Sequence, residues 1–72
     1  MSAEKLVMMA NQIGRFFVPQ RGIDPAVAIA THLRKFWDPR MRAAIVAHLH
    51  GGGEGLDEVV RQAVLRLKDD RA

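Results

Sequence analysis

Asp38-Pro39 interrupts a stretch of helical periodicity that otherwise runs from Pro25 to about His50. Proline lacks an amide hydrogen and pushes the residue before it out of the helical region, so no single helix can pass through this point. Two helices must meet at Asp38 with almost no loop between them, and a sharp angle is forced on the chain. The same pair recurs at Asp24-Pro25. There Asp can accept hydrogen bonds from the first free amides of a helix, while Pro occupies a position whose amide has no partner to lose. The segment V-P-Q-R-G-I-D-P at 18–25 and the run G-G-G-E-G at 51–55 supply the other breaks. Four segments with helical spacing remain, and no alternating run is long enough for a strand.

Each segment carries an apolar stripe. The first, about 3–17, aligns Leu6, Met9, Ala10, Ile13, Phe16 and Phe17, with Asn11, Gln12 and Arg15 outside the stripe. The second gathers Ala26, Ile29, Ala30, Leu33, Phe36 and Trp37, and the third Met41, Ala44, Ile45, His48 and Leu49. The last, beginning near Asp57, aligns Leu56, Val59, Val60, Ala63, Val64 and Leu67. These patterns predict an all-α fold, one small domain of four short helices spanning 1–72 as a helical hairpin or bundle. The glycine run reads as a helix cap followed by a flexible hinge at 51–55, and the tail at 69–72 as frayed.

A chain of 72 residues has room for a single core and no cleft between domains. At this size burial is marginal, so association with a larger body is expected to supply what the chain cannot bury alone, and the isolated chain is a candidate homo-oligomer. The absence of cysteine excludes disulfides and thiolate ligation. No apolar run reaches the length of a membrane span, and a cytoplasmic location is the default expectation.

Enzymatic chemistry finds little to work with. Ser2 and Thr31 are the only aliphatic hydroxyls, neither with an evident base or oxyanion donors, and adjacent carboxylates occur only at Asp69-Asp70 and Asp57-Glu58. His48 and His50 point to opposite sides of a helix, which argues against chelation; His48 reads as a core histidine with a hydrogen-bond partner. The glycine run follows a helix, lacks a following Lys-Ser/Thr and contains Glu54, so it is no phosphate loop. No catalytic, metal or cofactor residue is assigned.

The net charge of +3 is concentrated: residues 31–42 hold Arg34, Lys35, Arg40 and Arg42 against Asp38 alone. A solvated face with long side-chain stems over apolar surface is one reading of this patch. A protein interface is another, since Trp and Arg are frequent anchors, and it makes Asn11, His32, Arg34, Lys35, Trp37, Arg40 and Arg42 the candidate partner-binding residues. In this arrangement Phe36 and Trp37 close the apolar face at the corner and the cations form its polar rim. The rivals are a small nucleic-acid-binding module using the same cations and a self-associating helical protein pairing its Met8 and Leu65 sides.

MANQIGRFF at 9–17 and the string from Ala30 to Ile45, which contains HLRKFWDPRMR, resemble the signature stretches of a known family. This is the delta subunit of soluble, NAD-dependent, molybdenum-containing formate dehydrogenases, and the resemblance covers most of residues 5–50. Asn11, Gln12, Ile13, Phe16 and Phe17 match the first signature. Ala30, His32, Leu33, Lys35, Phe36, Trp37, Pro39, Met41 and Arg42 match the second. The resemblance implies a non-catalytic accessory subunit that supports assembly, stability or cofactor loading of the catalytic alpha subunit. It implies no cofactor in this chain; molybdenum-pterin, iron-sulfur clusters, FMN and NAD would reside in the holoenzyme's other subunits. The apolar pattern assigns Ile13, Phe17, Leu33, Phe36 and Ile45 to the core. It assigns Asn11, His32, Arg34, Lys35, Arg40 and Arg42 to the surface and leaves Trp37 open to either.

Overall fold

A computed structural model describes residues 2–69, so the tail beyond Asp69 lies outside the described residues. The four helices form where the breaks require: α1 is Ala3–Phe17, α2 Pro25–Phe36, α3 Pro39–His50 and α4 Glu58–Asp69. Ser2 caps α1 by accepting from the Lys5 amide at 3.1 Å. Asp24 accepts from Ala26 and Val27 at the start of α2, and Asp38 accepts from the Met41 amide at 2.9 Å at the start of α3. Each Asp therefore satisfies amides that the first helical turn leaves unpaired.

The most extensive helix interface is between α2 and α4, with α1 and α3 packed around them. Leu6, Ile29, Leu33, Ile45, Val60 and Val64 are fully enclosed, joining all four helices in one core. Gly14 is also buried, and a Cβ there would sit 2.7 Å from Val60 Cγ2. The absence of a side chain is what lets α1 approach α4 this closely.

The core face of α1 is turned relative to the stripe expected from its spacing. Val7, Asn11 and Gly14 are buried with Leu6 and Ala10, whereas Met9 and Phe16 are exposed and Ile13 and Phe17 are half-buried. Phe36, read as core, is 70% exposed, and Trp37 is buried at 5%. The reason lies at the corner: Trp37 is already extended, with φ −90° and ψ 139°, and leaves the helical wheel that Phe36 still follows. Its ring turns into the core while Phe36 turns out. In α3, Val46 takes a buried place expected of Ala44.

The glycine run, expected to follow the α3 cap as a hinge, is tied to its surroundings by side chains in this structure. Gly52 and Gly53 take positive φ, and five side-chain hydrogen bonds hold residues 52–57. Arg61 Nη1 donates to the Gly52 and Gly53 carbonyls at 2.9 and 3.2 Å. His48 Nε2–H donates to the Glu54 carbonyl at 2.8 Å, the partner anticipated for this half-buried histidine. Asn11 supplies the remaining two bonds.

Candidate partner-binding groove

Turning α1 toward Val7 and Asn11 leaves an apolar sector that the core does not use. Met9, Gln12, Ile13, Phe16 and Phe17 of α1 face His32, Phe36 and Trp37 at the C-terminal half of α2 across an open groove of about 400 Å³. The Phe16 and Phe17 rings meet edge-on at 5.0 Å, Phe17 stands 6.1 Å from the His32 imidazole, and His32 lies 4.6 Å from Phe36. This chain of ring contacts crosses from α1 to α2 and spans the groove. Its outer rings are open to solvent: Phe16 is 64% exposed and Phe36 70%. Two large aromatics exposed beside one apolar depression mark an interaction surface more strongly than scattered single residues do.

The anticipated partner-binding residues divide among different tasks. His32 lines the groove and is half-buried. Arg34, Lys35 and Arg40 are exposed at the corner. Trp37 reaches the groove only as part of its floor, because its indole belongs to the core; it is no protruding anchor. Arg42 is turned inward along the chain: its Nη1 donates to the Arg34 carbonyl at 3.2 Å and to the Trp37 carbonyl. It thereby covers carbonyls that the end of α2 leaves free, so this cation braces the corner.

Asn11 is not a surface residue. It is 8% exposed; its Nδ2 donates to the Gly55 carbonyl at 2.9 Å, and its Oδ1 accepts from the Asp57 amide at 3.0 Å. Both faces of the amide are used to fasten the loop before α4 onto α1, which is why a polar group is tolerated there. Spacing alone placed Asn11 outside the apolar stripe. The missed groove residues, Met9, Gln12, Phe16 and Phe36, had a signal in the excess of apolar groups on α1, where Leu6 to Ala10 are all apolar and Ile13, Phe16 and Phe17 follow. One core face cannot hold them all.

No side-chain constellation for chemistry accompanies the groove. Its lining contains no carboxylate, and among the described residues no group of three or more His, Cys, Asp or Glu gathers as metal ligands. Among the same residues, no helix is long and apolar enough to cross a membrane.

The family model described as NADH-dependent formate dehydrogenase delta subunit, FdsD, matches residues 5–64. The chain belongs to the FdsD family. The match extends through the tied loop and most of α4, beyond the two stretches that first carried the resemblance, and both of those stretches line the groove. No curated protein and no solved structure matches the chain. Membership makes it a delta subunit of a formate dehydrogenase complex.

Proposed function

We propose that this chain is a non-catalytic accessory subunit that binds the molybdenum-containing catalytic subunit of a cytoplasmic, NAD-dependent formate dehydrogenase by protein contact. It supports the assembly, stability or cofactor loading of that subunit and contributes no redox centre. Molybdenum-pterin, iron-sulfur clusters, FMN and NAD belong to the other subunits. The observation that carries this reading is the uncovered groove with Phe16 and Phe36 exposed on either side, in a chain whose family is defined by membership of a complex. A small domain that leaves two phenylalanines in water has a surface suited to burial against a partner.

The test is to tag the chain in its own cells, recover it from extract, and measure formate-dependent NAD reduction and molybdenum in the eluate. Activity with molybdenum identifies a resident subunit. Capture of the catalytic subunit lacking both identifies an assembly factor, and capture of neither refutes the proposal.

A further inference from the structure

We infer that the groove between α1 and α2 receives an amphipathic helix of the catalytic subunit, with acidic side chains of that helix directed at Lys35 and Arg40. The inference rests on the accessory-subunit reading and specifies the occupant of the site.

The shape of the occupant follows from the groove. From Met9 to Phe16 the α1 wall runs about 10 Å, two helical turns, while His32 and Phe36 place one turn of α2 opposite. Two helices lying side by side leave a furrow that a third helix fills with side chains at i, i+3 or i+4, and i+7. An extended strand would need a free sheet edge for its backbone, and the described residues contain no strand. Met9 adds an adaptable wall, since its thioether can fit varied apolar shapes.

The charge of the occupant follows from what surrounds the groove. No carboxylate lines it. Lys35 directly precedes Phe36 on the last turn of α2, and Arg40 lies in the first turn of α3, three residues beyond Trp37 and two beyond the helix-capping Asp38; both cations are exposed. Among the described residues neither Lys35 nor Arg40 has an ion-pair partner. An apolar furrow whose lining residues Phe36 and Trp37 lie close in the chain to these exposed cations complements a helix with an apolar stripe and carboxylates at one end. A second copy of this chain fits poorly, because pairing the groove on itself would bring no carboxylate from the lining to meet these cations.

The experiment uses the whole complex, recovered through the tagged chain. Phe36 is replaced by the photo-crosslinking residue p-benzoylphenylalanine, with the same replacement at exposed Leu65, outside the groove lining, as control. Illumination followed by peptide mass spectrometry should join position 36 to an amphipathic, carboxylate-bearing helix of the catalytic subunit. Lys35→Glu with Arg40→Glu should then weaken assembly at low salt on the order of tenfold, and reversing the partner's carboxylates to lysine should restore it. Cross-linking to a second copy, to nucleic acid or to a segment without acids overturns the inference, as does failure of the charge swap to restore binding. If the complex assembles but position 36 cross-links to nothing, the groove assignment fails while the accessory-subunit reading stands. If the tagged chain recovers no catalytic subunit, that reading fails and the inference with it.

Discussion

Asn11 and Gly14 show how much of this fold depends on single residues, one by the polar side chain it buries and the other by the side chain it lacks. Asn11 pairs with both a carbonyl and an amide of the loop before α4, so Asn11→Ala leaves Gly55 O and Asp57 N–H without their partner. Loss of such a buried pairing costs about 1–3 kcal/mol, and urea denaturation of the isolated variant should show that drop. Asn11→Asp is expected to be no better, since it can accept from Asp57 but places a carboxylate against the Gly55 carbonyl. Gly14→Ala is a sharper case. Alanine should gain about 1 kcal/mol of helix propensity, yet its Cβ would stand 2.7 Å from a methyl of fully buried Val60. A buried valine has little freedom to yield, so the overpacking cost of about 1–3 kcal/mol wins and the thermal midpoint should fall. A rise in midpoint would show that α1 can shift away from α4 without loss.

At the scale of the elements, the helix boundaries were legible because the residues that end and begin them act locally. Asp24-Pro25 and Asp38-Pro39 each need only the next few residues to cap a helix, and the structure puts both caps where the sequence does, while the Ser2 cap of α1 is a finding of the structure. The rotation of α1 was not legible, because it depends on Gly14 meeting Val60 and on Asn11 meeting the loop at 55–57, contacts between residues more than forty positions apart. Nor was the inward turn of Arg42 or the separate fates of Phe36 and Trp37, both set by the angle at the corner. That corner carries the element-scale prediction. Asp38→Ala removes the cap on Met41 N and should cost about 1 kcal/mol, and Asp24→Ala a similar amount. Arg42→Ala should also destabilise, by uncovering the Arg34 and Trp37 carbonyls, and Arg42→Lys should recover only part of the loss because one ammonium replaces a planar fork of donors. Melting curves of the set would check the order, and an Arg42→Ala protein as stable as the parent would show that solvent serves those carbonyls equally well.

The molecule as a whole has a Cα radius of gyration of 11.0 Å, matching the roughly 11 Å of a compact chain this long, so its exposed aromatics do not come from loose packing. They belong to a surface left over once the four stripes have met, and that surplus separates binding from folding. Trp37→Ala removes a core indole and should cost about 3–5 kcal/mol, a large share of the stability a domain this small possesses, so loss of folding is the expected result. Phe16→Ser with Phe36→Ser removes rings that are already largely in water and should leave the helical signal and the urea midpoint nearly unchanged. In cells the same double variant should recover at least tenfold less catalytic subunit through the tagged chain, since buried aromatic anchors commonly contribute about 2 kcal/mol or more each. Circular dichroism of the isolated variants beside quantitative recovery of the complex measures both quantities on the same proteins. A serine double variant that folds and still assembles normally would move the interface away from the groove, leaving the exposed sides of Met8 and Leu65 as the apolar surface to test next.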